Sequence, residues 1–576
     1  MARTVQETAA RIKVRRFAGA GRSTQARDGG LTAAALDPRL RTLRIGDGIL
    51  LTLVLAAALA WPLHAPPIAA HGEAREGLVV QDIVLHGEWT LPRRNGELPS
   101  KPPLFHWMAA GAARAVGLSD AVVRLPSAIA GWAMLLATFA LGVTIGGRTT
   151  AWLAVGALLG TYGFWESAWE ARVDMVFAAS IAAALVAFFA WYRGGGRVAR
   201  AGCYIATACA VLAKGPAGAV LPALVIVAFV VRESWRRHRG DAADGAVADE
   251  ATPNAPTTLA AAGGGPLAHA IAVVGRLWSW PLVALVVLVD AGWYLLAYRR
   301  GGAEFLAVQL LHENVDRLVG RGVFGMHGGR SRLAMVVELA TDLVPWNLVL
   351  VWAAVAWARG ARADRGERFL HAWWLVIVGV FTAVYGKRDI YLLPLYPALA
   401  LLAGRALATA LQVPAGGQLF GVVPIPDALR RRLPVRPALA LLALAVVVFD
   451  VTLVMVSEIA RLHSVRRRSL LGFVREVEAQ VPPGAALSAA PDLDGSDLQV
   501  LAYRLRRVIP RTPTPDAAAT LHAGTASLVY VLMPAAAADT QSDARAQRLA
   551  VSSRRGTNIA LVAVSSAGAP ARGISE

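Results

Sequence analysis

Long apolar runs separated by short polar connections set the pattern of this chain. After a polar start, runs of roughly 15 to 25 residues with few internal charges recur, close to the length that crosses a bilayer. They fall at residues 49–62, 122–143, 151–165, 175–191, 201–213, 217–231, 277–296, 333–357, 370–385, 391–410 and 437–456. The pattern predicts an all-α polytopic membrane protein with about 11 transmembrane helices. Two stretches in the first long polar connection, residues 72–86 and 104–116, alternate polar and apolar positions at helical spacing. They are too polar to span and are expected as amphipathic helices lying at the membrane surface.

From about residue 460 the pattern changes to that of a small soluble domain. An amphipathic helix at 470–481 precedes β-like runs at 498–505, 527–533 and 559–564, with proline-rich turns between them, which predicts a small α/β unit. The expected organisation is a basic cytoplasmic tail (1–45), a transmembrane domain (46–457) and a soluble domain (458–576). Within the transmembrane domain, a first outer loop covers 65–121 and an Ala/Gly/Pro-rich cytoplasmic linker covers 233–270.

Charge sets the expected orientation. The chain is 56% hydrophobic and 17% charged with a formal net charge of +19, yet its cations fall in short clusters between apolar runs, so no nucleic-acid role is expected. With the N-terminus inside, every second loop is Arg-bearing: 146–148, 193–200, 232–239, 359–368 and 430–436. The alternate loops mix acids and bases and all fall on the opposite face, which is periplasmic if the membrane is a bacterial inner membrane. The C-terminal domain falls on that face too. Cys203 and Cys209 share one apolar run and are expected as packing residues.

Candidate chemistry gathers on the outer face. Glu73, at the outer end of the first span, reads as a general base or as an interfacial acid paired with Arg75. Asp174 reads as a second acid or as the N-cap of the following helix. Lys101 is held at the surface by Pro102 and Pro103, and phosphate is its natural partner. Lys214, in the turn Lys214-Gly215-Pro216, reads as a phosphate ligand or as a snorkelling lysine. Lys387 and Arg388 run against the usual charge bias of an outer loop, which points to an anion. His106, Trp107, Trp169, Arg172, Arg317 and Tyr391 are candidates to line the substrate, the tryptophans either stacking on a sugar or anchoring the interface. Histidines occur nearby without metal-ligand spacing. No cofactor is expected, with a divalent metal left open.

These pieces together resemble the GT-C class of lipid-linked-sugar glycosyltransferases, in particular the aminoarabinose transferase and protein O-mannosyltransferase superfamily. Gly72-Glu73-Ala74-Arg75 resembles the family's D-E-x-R, Gly87-Glu88-Trp89 its G-x-W, and the stretch from Lys101 to Trp107 its K-P-P-L-x-Y-W. Arg172-Val173-Asp174-Met175 resembles its second acid motif, Lys214-Gly215-Pro216 its T-K-G-P turn, Pro345-Trp346 its P-W motif, and the stretch from Lys387 to Pro394 its K-R-x-x-Y-L-L-P. The resemblance runs from about residue 46 to 410 and implies the GT-C fold.

It also implies a polyprenyl-phosphate sugar as donor, its phosphate held by Arg75 and Lys101, and by Lys214, Lys387 and Arg388. The family's catalytic aspartate aligns with Gly72. The role then falls to Glu73, either from the next position or through a one-residue slip of the alignment; an inactive protein is the alternative. The expected enzyme is a glycosyltransferase of the inner membrane that passes a hexose or pentose to an envelope acceptor, whether lipid A, a glycan or a protein. A transporter or flippase, or an inactive assembly subunit, is the competing reading.

Overall fold

The computed structural model of the 576-residue chain describes residues 46–49, 51–53, 56, 65–239, 265–321, 334–358, 363–385, 388–411, 418–419, 423–424, 435–467, 470–512, 528–540, 546–552 and 558–565. The basic tail, most of the first expected span and most of the linker lie outside the described residues.

Helices dominate. The two stretches read as surface helices are α1 (His71–His86) and α2 (Leu104–Val116). Pro102 and Pro103 keep α2 from extending backward, because proline has no N–H to donate and its ring crowds the preceding turn. Next comes α3 (Asp120–Leu159), whose 40 residues would measure about 60 Å as one rod, twice a hydrocarbon core. It is not one rod. Gly147 breaks it at φ 82°, and the halves fold back so closely that a Cβ on Gly142 would lie 2.6 Å from Ala151 Cα. The expected spans at 122–143 and 151–165 therefore form a hairpin turning at Gly147, and the second ends early, at Leu159. Residues beyond it form the short helix α4 (Tyr162–Trp169).

Tight turns join α5 (Val173–Tyr192), α6 (Gly196–Lys214) and α7 (Ala217–His238). After them come α8 (Pro266–Leu277) and α9 (Trp280–Leu306), whose helical path continues in wider π turns through Ala307–Asp316. The single span expected at 333–357 is two helices, α10 (Ala334–Asp342) and α11 (Trp346–Ala358), bent by 113°. Pro345 sits at the corner, where its missing N–H and its ring exclude a continuous helix. The transmembrane part ends with α12 (Arg365–Ala383), a 3-10 turn (Asp389–Leu395) leading into α13 (Tyr396–Leu411), and α14 (Val435–Arg467).

Among the described residues, five helices are long and apolar enough to cross a membrane, and the bent pair makes a sixth. The expected count of about 11 is not reached on that measure. Other expected spans are shorter or more polar, such as α12 with Arg365, Glu367 and Arg368 in its first turn, or lie outside the described residues.

The C-terminal part folds as α15 (Leu471–Gln480), β1 (Ala486–Ala489), α16 (Gly495–Arg504), β2 (Leu528–Pro534), α17 (Ala535–Thr540), β3 (Ala546–Val551) and β4 (Ile559–Ser565). The sheet order is β1-β2-β4-β3, with β1 and β2 parallel and the other pairs antiparallel. The run at 498–505, expected as a strand, is helical. Asp494 accepts from the Ser496 amide at its start, and Leu498, Leu501 and Ala502 are buried at helical spacing.

Two groups of charges occupy different ends of the bundle. Several of the Arg-bearing loops meet at one end: Arg368 holds both oxygens of Glu233, at 2.5 and 2.8 Å, and Arg405 joins Glu367 at 2.8 Å to the Ile145 carbonyl. Close to these pairs, Phe189 and Phe369 stack 4.7 Å apart, with Phe229 edge-on to Phe369 at 5.2 Å. The motifs of the alternate loops meet elsewhere, around α1.

Candidate active site

The site is built where α1 begins. Glu73 points inward, almost wholly buried, and Arg124 of α3 grips it with two hydrogen bonds of 2.7 and 2.8 Å. The Ala171 amide donates to the same carboxylate at 3.0 Å. Both oxygens are engaged, and the partner is Arg124, not the Arg75 expected for an interfacial acid, which pairs with Glu76 instead. The grip ties α1, α3 and the turn before α5 together.

One face of α1 further round, Arg75 pairs with Glu76 at 2.7 Å. The other Glu76 oxygen meets buried His106 of α2 at 2.9 Å. Burial alone would raise the Glu76 carboxyl, but the Arg75 charge and the His106 hydrogen bond outweigh it and hold the group well below the usual carboxylate range. Arg75, Glu76, Lys101 and His106, with Arg94 and Ser100, line a small recess. Lys101 is paired there with Glu313, an acid on the π-helical continuation of α9. Trp107 faces away, donating its indole N–H to the Trp89 carbonyl at 2.7 Å.

The other wall comes from the starts of α5 and α13. Asp174, in the first turn of α5, pairs with Lys214, and the Lys214 ammonium lies 4.7 Å from the centre of the Tyr391 ring. Arg172, just before α5, bonds Glu170 at 2.6 Å and Glu166 at 3.2 Å. Burial works against a charged Glu170, yet Arg172 and Arg461 hold its carboxyl below the ordinary value. Glu166 moves the other way, raised by burial with Glu170 adding to it. Arg388 is exposed, and its charge is felt by His71 at the start of α1. The two walls face each other: Arg75 is in electrostatic reach of both Asp174 and Glu313.

Arg75, Lys101, Asp174, Arg172, Lys214, Tyr391, Arg388 and His106 are thus brought to one place from five separate stretches of chain. Trp169 is not at its surface. It is 2% exposed and packs its ring 4.7 Å from Trp165, so it belongs to the core and not to a sugar platform. Lys387 and the Arg317 side chain lie outside the described residues. Sequence reading passed over Arg124, Glu313 and Glu170, the acids and the arginine that hold the expected residues in place. Arg124 carried a signal, being a charge inside an expected span. A second recess includes Glu166 in its wall and is lined also by Glu338, Asp342, Asp389, Tyr162 and Tyr396.

Residues 100–246 match the dolichyl-phosphate-mannose-protein mannosyltransferase family. An undecaprenyl phosphate-alpha-4-amino-4-deoxy-L-arabinose arabinosyl transferase of Shewanella sediminis is 22% identical over 387 residues, 66% of this chain and 63% of that protein. Its counterpart in Pseudomonas paraeruginosa is 26% identical over 358 residues, 60% of this chain and 58% of that protein. The chain thus spans less than two thirds of the length of the curated relatives it matches. The crystal structure of ArnT from Cupriavidus metallidurans bound to undecaprenyl phosphate shares the fold, with a TM-score of 0.66 at 18% identity, covering 90% of this chain and 98% of that one. The chain is thus similar in sequence to aminoarabinose transferases and, over residues 100–246, to mannosyltransferases, and it shares the fold of ArnT.

Proposed function

We propose that this protein is a membrane glycosyltransferase that takes a sugar from a polyprenyl phosphate and passes it to an envelope acceptor at the periplasmic face of a bacterial inner membrane. The observation that carries the reading is the convergence of Arg75, Lys101, Lys214, Arg172 and Arg388 on one site at the edge of the bundle. Four of these cations already pair with carboxylates, namely Arg75 with Glu76, Lys101 with Glu313, Lys214 with Asp174 and Arg172 with Glu170. An incoming phosphate would share or displace those partners and meet preorganised donors in a site of reduced dielectric.

Chemistry follows from that placement. The acceptor oxygen attacks the anomeric carbon, the bond from that carbon to the phosphate oxygen breaks, and the cations stabilise charge on the leaving polyprenyl phosphate. Asp174 sits beside Lys214, where it holds the lysine in position and orients the acceptor. Glu73 acts at one remove, fixing the start of α1 through Arg124. The relatives named as arabinosyl transferases and the undecaprenyl phosphate of the ArnT structure support a lipid-phosphate donor. A transporter would place its polar residues near mid-membrane, whereas these gather at helix ends.

The test is transfer of radiolabelled lipid-linked sugars by membranes carrying the protein, together with undecaprenyl phosphate binding. A charge-assisted hydrogen bond contributes about 1.5–3 kcal/mol, so Lys101→Ala and Arg75→Ala should each weaken binding and transfer by roughly 10- to 100-fold. Binding that survives both changes, or transport of the lipid without transfer, would overturn the reading.

A further inference from the structure

Gly72 offers no side chain, and its neighbour Glu73 is turned inward onto Arg124. The side chain on the other side of that gap is His71. It is the first residue of α1 and exposed, and it lies four positions before Arg75, so the two share a helix face. Its ring makes no hydrogen bond to another described residue. Other histidines nearby are each taken up by a carboxylate: His106 by Glu76 at 2.9 Å, His86 by Asp82 at 2.8 Å and His312 by Asp316 at 2.6 Å. The charges that reach His71 are Arg75 on its own helix, Arg172 before α5, Arg388 before α13, and Asp494 of the C-terminal unit.

Resting on the transferase reading above, we propose that His71 is the general base of this site and that the acceptor group is a hydroxyl. The acceptor proton moves to a free ring nitrogen of His71. The acceptor oxygen bonds to the anomeric carbon, the bond to the phosphate oxygen breaks, and its electron pair leaves with the polyprenyl phosphate. The imidazolium then returns its proton to water. A phosphate monoester acceptor is already ionised and has no need of such a base.

The surroundings suit this role. Desolvation by neighbouring groups, followed by the charges of Arg75, Arg172 and Arg388, holds the imidazole below its usual value of 6.5, with Asp494 opposing. The neutral, proton-accepting form therefore prevails at neutral pH. A bound phosphate offsets part of the arginine charge, which eases formation of the imidazolium as the reaction proceeds.

Gly72 supplies a rescue. A Cβ there would meet no other atom within 4 Å, so an aspartate can be placed beside the vacant base. The experiment uses the full chain in membranes of a strain lacking it, with radiolabelled lipid-linked sugars extracted from the parent strain and undecaprenyl phosphate as the binding probe. His71→Ala should lower transfer by about 100-fold or more while undecaprenyl phosphate affinity stays within about twofold, less than the effect of one lost charged hydrogen bond. Transfer by the native protein should fall in acid with an apparent pKa in the histidine range. Adding Gly72→Asp to His71→Ala should recover at least about tenfold in transfer and move that acid limb down by roughly two pH units, from imidazole to carboxylate. Full transfer by His71→Ala, loss of affinity in step with activity, or a double variant no better than the single would overturn the proposal and leave the transferase reading standing. Binding without transfer by the native protein would overturn both.

Discussion

Glu73 and Arg124 give each other a buried partner. Their side chains are each 3% exposed, joined by two short hydrogen bonds, with the Ala171 amide as a third. Breaking such a pair leaves one charge buried without its partner, at a cost of roughly 3–5 kcal/mol, whereas replacing both partners by apolar groups can be nearly neutral. Glu73→Gln should therefore lower the melting temperature of the detergent-purified protein steeply, and Glu73→Leu combined with Arg124→Met should recover most of it. A catalytic base would behave otherwise, with transfer lost and the melting temperature unchanged. The sequence made Glu73 conspicuous by its place at a membrane edge, but its partners lie 51 and 98 positions away. No local spacing could have paired them.

Elements are held to their shape by single residues, and the sign of a substitution depends on which. Gly147 turns α3 back on itself at φ 82°, ψ −178°, a region closed to residues with a Cβ except at a cost of about 1–3 kcal/mol. Gly147→Val should destabilise by about that amount in thermal or denaturant unfolding. Gly111, inside α2, should respond oppositely: a Cβ added there would meet nothing within 4 Å, so Gly111→Ala should stabilise by roughly 0.5–1 kcal/mol. Helical periodicity located α1 and α2 to within a residue or so, although α1 is buried on most of its circumference, with Glu73, Glu76 and Gln81 among its buried residues. It failed at residues 333–357, where hydropathy ran unbroken across the corner at Pro345. It failed again at 498–505, where a short apolar run reads alike as strand or helix until its partners are known. Those partners are α1 and the sheet.

At the scale of the whole molecule, the C-terminal unit is part of the site's frame. Tyr503 of α16 donates to Asp120 at 2.7 Å, Arg504 reaches the same carboxylate at 2.7 Å, and Gln81 of α1 donates to the Tyr503 carbonyl at 2.9 Å. Asn95, between α1 and α2, exchanges two hydrogen bonds with the backbone of Ile509. Composition announced a separate soluble unit but gave no hint of this docking, since Tyr503 and Asp120 are 383 positions apart. The contact is close enough to depend on a glycine: a Cβ on Gly77 would collide with the Tyr503 ring. Gly77 sits on the same helix as His71, Arg75 and Glu76, so pushing Tyr503 away loosens the support of the helix that carries the site. Gly77→Val should expose the C-terminal unit to limited proteolysis several-fold faster than in the native protein. The same change should lower transfer and leave the charges of Arg75 and Lys101 in place, so undecaprenyl phosphate binding falls less than transfer does. Equal protection from protease in the two proteins would show that α16 does not brace α1.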